Sequence, residues 1–439
     1  MENRKNMVTA RKLLDKDGIS FYSVHSDKFK TVRIDIFMIH PLQKETVSAN
    51  ALFPFVLRRG CKSCPTQLDL AQRLEQLYGA SIEAGVYKKG EIQIVHFSTA
   101  FVSDQYTAGQ TNLFDETGSL LLEVITDPVL ENGMFKKDYF EQEKENLIHR
   151  IRSRVNDKMR YAIQRCFEVM CADEPYAIDE EGDEAGAAAL TCEGLMERYR
   201  AMLSESPVFV YISGNVREDG IKRFTEKFSG LERNCKNTLP PLQAARQVGE
   251  VKRVEEPMDV SQGQLCLGFR TQIEANSPDY FPLAIYNGIL GGGVHSKLFQ
   301  NVREKESLAY TTFTRMEKFK GLLIAASGIE IANREKAENI MLEQLKAIRE
   351  GNITDLEMEA TKKSFETGIK SMQDSQGAMV DFFLSQLLSG EQYGAEAFLD
   401  RLMQVEKQDV VRVAEKITLD TVYFLTSSSP QGAERSEYE

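Results

Sequence analysis

The sequence predicts an α+β protein of two homologous domains, each a mostly antiparallel sheet with helices packed on one face. Two observations carry this. Strand-like and helix-like segments follow one another in the order strand, helix, strand, strand, helix, helix, and that order occurs twice. A repeat spacing of about 200 residues marks duplicated domains rather than a solenoid. The expected division is 1–235 for the first domain, 236–250 for a linker and 251–430 for the second domain. Residues 431–439 are expected to form a disordered tail.

Each element has its own signal. ISFYSVHS and FKTVRIDIFMIH alternate apolar and polar residues and are rich in β-branched side chains, as strands are. A short apolar helix is expected at 48–58. PTQLDLAQRLEQLYG places Leu70, Ala71, Leu74, Leu77 and Tyr78 on one helical face, opened by Thr66 with Asp69 and closed by Gly79. ASIEAGVYK and EIQIVHFSTAF read as paired strands. A helix is expected over 105–126, ended by Asp127-Pro128, and one long helix from Phe135 to Met170. ESPVFVYISGNV is a strand ended by Gly214. The polar stretch 233–250, with Pro240-Pro241, is the hinge candidate. The second half then gives the strand SQGQLCLGFRTQ, helices at 278–289 and 295–305, and the strands LAYTTFTRMEK and GLLIAASGIE. Helices at 332–350 and 354–372, the helix EKQDVVRVAEKI and the strand DTVYFLTSS complete it.

Bulk composition narrows the function classes. The chain has 439 residues, 42% of them hydrophobic and 27% charged, which is ordinary globular composition with ample core material. A net charge of −12 argues against nucleic acid or an anionic membrane as the main partner. The N-terminus lacks a secretory apolar segment, and no apolar run approaches the roughly 20 residues that span a bilayer. The 7 cysteines are scattered, as reduced thiols are in a cytoplasmic protein. Cys61–Cys64 is the one paired spacing, and a lone CxxC is weak evidence for zinc or redox chemistry.

The second half contains ILGGGVHSKLFQNVREKESLAYTTFTR, residues 289–315. A Gly-rich turn, a small-residue-Lys-Leu-Phe helix and the pair Arg303 and Tyr310 fall there in one order. DPVLENGMFKKDYFEQEKENLIHRI, residues 127–151, reads as a long central helix. Together these resemble the pitrilysin/insulinase family of zinc peptidases, in particular the bacterial and mitochondrial processing-peptidase type of about this length. The resemblance implies the LuxS/metallohydrolase-like fold. It also implies that Arg303 and Tyr310 bind substrate, facing the zinc site of an N-terminal-type domain across a cavity. The chemistry suits those roles: arginine offers fixed donors to a carbonyl, and a tyrosine hydroxyl can donate to a developing oxyanion. The glycines 291–293 match no phosphate-binding pattern and are expected to form a tight turn.

The family's first half carries H-x-x-E-H on a helix, with two histidine ligands one turn apart, an intervening glutamate as general base, and a later glutamate completing the set. Aligned on Gly60, those positions here are Ala51, Pro54 and Phe55, and the helix register places Arg150 at the third-ligand position, with Glu143 kept one motif earlier. Ala and Phe have no donor atoms, Pro has no carboxylate, and an arginine cation repels a dication. The five histidines, His25, His40, His96, His149 and His295, lie on different elements at no ligand spacing. The chain is therefore expected to bind no metal and to have no catalytic residue of its own.

The pattern is that of the metal-free subunit of a two-chain zinc peptidase, whose partner brings the zinc and the H-x-x-E-H motif. The expected partners are such a homologous subunit, or a second copy in a homodimer, and a peptide substrate laid as an added strand on a sheet edge. ASIEAGVYK is the candidate edge, with Glu83 where the family usually has Asn. The alternative is a catalytically inactive scaffold or peptide-binding protein on the same fold.

Overall fold

The computed structural model describes residues 8–107, 112–235, 238–239 and 248–428. Most of the expected linker 236–250 and all of the tail 431–439 lie outside the described residues.

In chain order the first elements are β1 (Arg11–Lys16), β2 (Ile19–Val24), β3 (Thr31–Pro41), α1 (Val47–Leu57), α2 (Gln67–Gln76), β4 (Ser81–Lys89), β5 (Ile92–Val102) and α3 (Leu113–Thr126). Next come β6 (Leu130–Glu131), β7 (Met134–Phe135), α4 (Lys137–Ser153), α5 (Lys158–Met170), α6 (Glu184–Ala189), α7 (Cys192–Glu205), β8 (Val208–Ser213) and α8 (Glu218–Phe228). The second half holds β9 (Lys252–Met258), β10 (Gly263–Arg270), α9 (Tyr280–Gly291), β11 (Ala309–Glu317), β12 (Leu322–Ile329) and α10 (Arg334–Arg349). It ends with α11 (Asp355–Met372), α12 (Gln376–Leu388), α13 (Ala395–Gln404), α14 (Lys407–Ala414) and β13 (Thr418–Ser427).

The duplication is visible in the strand order. One sheet runs β1-β2-β8-β3-β5-β4 and the other β9-β13-β10-β12-β11. Both are antiparallel except at one place: β2 pairs with β8 in parallel, and β13 pairs with β9 in parallel. Read from that parallel pair outward, the two orders coincide strand for strand, and β1 is an addition to the first.

The compact units do not follow the expected contiguous halves. One consists of residues 1–153, 178–240 and 371–395; the other of 154–177, 241–370 and 396–439. Each half of the sequence thus sends one helix to the other half's sheet. The single helix expected from Phe135 to Met170 is two helices, α4 and α5, separated by a 3₁₀ turn at Arg154–Asn156. Asp157 caps α5 by accepting from the Arg160 amide, which gives the chain a reason to restart there. The expected helix over 105–126 begins only at Leu113, after a 3₁₀ turn at Asp104–Tyr106. Residues 127–135, expected in the central helix, instead include the hairpin β6–β7, turned by Asn132 and Gly133, both at positive φ as a two-residue hairpin turn requires. The helices α6, α7, α8, α12 and α13 and the strands β1 and β9 had no counterpart in the expected order.

In the first unit, β3 turns Val32, Ile34, Ile36 and Met38 toward a core shared with α1, α3, α4, α7 and α8. Its opposite face carries α12. Gln376 at the start of that helix donates to the carbonyls of Thr31 and Ser213 at 3.2 and 3.0 Å and accepts from Thr31 Oγ1 at 2.8 Å. Further along, Lys89 meets Asp381 at 2.8 Å and Ser385 at 2.9 Å.

In the second unit α5 does the equivalent work. Ala162, Ile163, Cys166, Phe167 and Met170 form one buried stripe on Cys266, Ile324, Ala326, Tyr423 and Leu425 of the sheet. Gly268 permits the approach: a Cβ there would lie 3.0 Å from Met170 Sδ and 3.2 Å from Cys166 Sγ. Beside the stripe is a buried charge network. Arg270 donates to Asp420 at 2.9 Å, to Glu174 at 2.6 Å and to the Met170 carbonyl at 2.9 Å, and Lys320 reaches Glu174 at 2.7 Å. Burial pushes the Glu174 carboxyl up, but its bonds to Arg270 and Lys320 outweigh that and leave it below the ordinary glutamate value.

Arg270→Ala is expected to destabilise the protein by about 3–5 kcal/mol, because it leaves buried carboxylates short of a partner. The readout is the urea unfolding midpoint. The contribution of Glu174 is fully present above the unfolded glutamate pKa and is lost as pH falls through its lower folded value. The wild-type advantage over Arg270→Ala should therefore shrink below about pH 4.5.

Candidate functional site

Helix α1 carries the three positions of the degenerate motif. Of its 11 residues 10 are buried, and a helix apolar on all sides belongs in a core. Ala51, Leu52 and Phe53 have no exposed surface. Pro54 sits inside the helix, where its missing N–H leaves the Asn50 carbonyl without the usual partner. Phe53 packs against Tyr199 of α7, with ring centroids 6.1 Å apart.

The structure brings the second-histidine and third-ligand positions together. The Arg150 guanidinium carbon, on α4, lies 4.2 Å from the centroid of the Phe55 ring on α1. Arg150 Nε also pairs with Glu181 at 2.9 Å. Its Nη2 is buried and has no hydrogen-bond partner. Two turns back on α4, Glu143 is 8% exposed and is held by Arg59 at 2.5 Å. The residues at the motif positions do not fit a zinc ion. Ala51, Pro54 and Phe55 offer no ligand atom, and the nearest charge is a guanidinium stacked on a ring, a cation–π contact. Among the described residues no group of three or more His, Cys, Asp or Glu is placed to hold a metal ion.

A buried polar cluster pins the start of α1. Asn50 donates to Gln93 at 2.7 Å and accepts from Arg198 Nε at 2.6 Å, and Gln93 in turn donates to the carbonyls of Val47 and Glu180. Burial lowers the Arg198 guanidinium to about 10. His40, at the end of β3, donates from Nδ1 to the Pro41 carbonyl at 2.7 Å, and burial together with the Arg198 charge lowers its imidazole to about 4.

β4 is an edge of its sheet, paired through Ser81–Lys89 with β5 alone. It packs beside α1, and Glu83 on it is exposed. Its outer row of backbone donors and acceptors can receive an extended peptide.

Arg303 and Tyr310 both belong to the second unit. The expected helix at 295–305 is a π-helical turn over Phe299–Lys305, a form concentrated at functional sites. Arg303 lies on it, with its guanidinium carbon 4.7 Å from the Phe299 centroid and Nε 3.8 Å from Glu304. Its side chain is 43% exposed. Tyr310 is 82% exposed, on the edge strand β11. It falls where the β11–β12 register slips between Ala309 and Thr311, and such a bulge re-aims a side chain. The Gly-rich turn packs against this strand: a Cβ on Gly291 would lie 2.6 Å from the Thr314 amide nitrogen. The π turn, the bulge and the Arg150–Phe55 stack were not read from sequence.

The other sequence candidates have local roles. Cys61 and Cys64 are buried free thiols joined by two backbone bonds, and burial pushes the Cys61 thiol up. His295 bonds Thr361 at 2.9 Å, His149 faces Glu145 at 3.7 Å, and His96 bonds Asp35 at 2.8 Å.

Two sheets that share a five-strand order, with a helix-borne motif position facing α4 and an exposed Arg and Tyr on the second unit, define a zinc-peptidase-like architecture. A family model described as "Peptidase M16 inactive domain" matches residues 189–365. A Bacillus subtilis protein named "Probable inactive metalloprotease YmfF" is 36% identical over 408 residues, 93% of this chain and 96% of that protein. Another from the same organism, "Uncharacterized zinc protease YmxG", is 22% identical over 336 residues, 76% of this chain and 80% of that one. The crystal structure of a conserved protein from Enterococcus faecalis superposes with a TM-score of 0.89 at 29% identity, covering 96% and 99% of the two chains. An M16 inactive domain from Pseudomonas fluorescens shares the fold, with a TM-score of 0.78 at 15% identity over 96% and 98%. The chain belongs to the M16, or pitrilysin-like, peptidase family.

Two outcomes follow. The fourfold variant Ala51→His, Pro54→Glu, Phe55→His, Arg150→Glu is expected to retain about one zinc per chain after dialysis, measured by plasma mass spectrometry, where the wild type retains none. His40 predicts an acid-sensitive step. Its folded pKa is lowered, so stability is full above the unfolded value of 6.5 and falls with pH until about 4. His40→Gln should flatten the dependence of the urea midpoint on pH in that window.

Proposed function

We propose that this chain is the non-metal-binding subunit of a two-chain M16 peptidase. It supplies Arg303 and Tyr310 for peptide binding and oxyanion stabilisation to a site whose zinc and general base belong to a homologous partner. The observation that carries the reading is an asymmetry. The motif positions on α1 and α4 hold groups that cannot ligate a metal, whereas Arg303 and Tyr310 remain solvent-facing on a π turn and a bulge. An 82% exposed tyrosine gains nothing from packing, so its surroundings favour contact with something outside the unit.

The peptide would add as a strand to the free edge of β4. Arg303 would hold a substrate carbonyl with its fork of donors, and the Tyr310 hydroxyl would donate to the oxygen that gains charge. This chain would hold no cofactor and would be inactive alone. A dimeric cytoplasmic assembly is part of the same proposal. Among the described residues no helix is long and apolar enough to cross a membrane.

The second reading is an inactive scaffold or peptide-binding protein. It is favoured by the Arg150–Phe55 stack, which closes the expected ligand position with packing, and by the similarity to the Bacillus subtilis protein named a probable inactive metalloprotease.

Affinity purification from the native source separates the two. Recovery of a stoichiometric chain bearing H-x-x-E-H supports the composite peptidase; recovery of the chain alone or of an unrelated complex supports the scaffold. In the reconstituted pair, Arg303→Ala should lower kcat/KM for a fluorogenic peptide by about 100-fold or more while co-purification stays intact. Undiminished cleavage would rule out the composite site.

A further inference from the structure

Arg303 has few contacts of its own. Its side chain lies beside the Phe299 ring and 3.8 Å from a Glu304 oxygen, both on the same turn. Its direction is therefore set by the π turn beneath it. A buried ion pair fastens the residues that lead into that turn. Lys297 is 8% exposed, and its Nζ lies 2.9 Å from Glu357 Oε1 on α11. Among the described residues Glu357 is the only acid paired with Lys297. Glu357 Oε2 accepts from the Thr354 amide at 2.7 Å and from its hydroxyl at 3.0 Å, and the Glu357 amide donates to Thr354 Oγ1 at 3.2 Å. That reciprocal pattern is a capping box. One carboxylate thus closes the start of α11 with one oxygen and holds Lys297 with the other. One turn further along α11, the buried Thr361 bonds His295 at 2.9 Å. The Lys297 carbonyl accepts from Asn301 Nδ2 at 2.9 Å, and the same nitrogen donates to Gln344 Oε1 of α10 at 2.9 Å.

We infer that Lys297 and Glu357 are positioning residues for Arg303. An ammonium buried to this degree is stable only beside its carboxylate, so the approach to the π turn has one place on α11. The capping box in turn gives the carboxylate one orientation, because its second oxygen is already used. The contacts run from Thr354 through Glu357 to Lys297 and end at the turn that carries Arg303. They account for a lysine whose charge is buried. Packing alone would be served by an apolar side chain, often at no loss of stability, whereas an ion pair fixes one register. The inference rests on the proposed role of Arg303 in peptide binding; the ion pair itself does not.

The test uses the full chain and two variants. Glu357→Gln keeps the capping bonds, since glutamine serves in a capping box, and removes the charge that holds Lys297. Lys297→Met combined with Glu357→Gln removes both charges and is expected to keep a urea midpoint near that of the wild type. In hydrogen exchange read by mass spectrometry, both variants should exchange the amides of 297–308 about tenfold faster than the wild type, with those of β12 unchanged. In the reconstituted pair, the double variant should lower kcat/KM for the fluorogenic peptide by about tenfold, mainly through KM. It should add no further loss when Arg303→Ala is already present. A merely structural ion pair would give additive losses. Unchanged exchange at 297–308 overturns the inference, and so does additivity with Arg303→Ala. Undiminished cleavage by Arg303→Ala alone would instead overturn the composite site, and the exchange result would still decide whether the ion pair holds the turn. Should Glu357→Gln fail to fold by circular dichroism, the double variant decides alone.

Discussion

The second unit is organised around the positive charge of Arg270. Its guanidinium ties Glu174 and the Met170 carbonyl, from the first half of the sequence, to Asp420 at the start of the last strand. A buried cation is tolerable only when its donors are used, and three of its contacts come from elements far apart in the chain. Once that centre forms, α5 has one seat, with its apolar stripe on the sheet and Gly268 beneath it. Glu256 reinforces the seat by receiving Tyr161, Tyr423 and Arg165 at 2.7, 2.9 and 3.1 Å. The first unit fastens α12 through Gln376 on strand-end carbonyls and through Lys89 on Asp381 and Ser385. Exchange of helices therefore makes each sheet depend on both halves of the sequence.

Helix α1 is held by packing rather than by ligand chemistry. A zinc site needs polar side chains projecting from a buried helix, which is costly unless the metal is bound. Ala51, Phe53 and Phe55 carry no such polar atoms, and the Arg150 guanidinium of α4 stacks on the Phe55 ring. The polar residues that remain, Asn50, Gln93 and Arg198, satisfy one another at the helix start. The second unit has moved the other way. The π turn and the β11 bulge keep Arg303 and Tyr310 out of the core, where a regular helix and ladder would direct side chains by period alone.

Much of the candidate site was legible before any coordinates. The spacing of Ala51, Pro54 and Phe55 on a short helix, and the order of the Gly-rich turn, Arg303 and Tyr310, could be quoted from the chain. The capping box of Thr66 and Asp69 appeared where its spacing placed it. The break between α4 and α5 was missed although Ser153, Asn156 and the cap residue Asp157 interrupt the helical run there. The helices α7, α8 and α12 went unassigned, although α8 carries Ile221, Phe224 and Phe228 at helical spacing.

By itself the sequence determined the α+β class, the duplication, the family resemblance and the absence of metal-ligating side-chain atoms at Ala51, Pro54 and Phe55, because these depend on local period and side-chain chemistry. Only the tertiary structure decided which sheet each helix covers and that Arg150 lies on Phe55. It alone decided the bulge and exposure at Tyr310 and the ion pair of Lys297 with Glu357. The reason is physical. An apolar stripe states that a helix must be buried but not against what, and the choice of partner is made by buried charges and close approaches between residues distant in the chain.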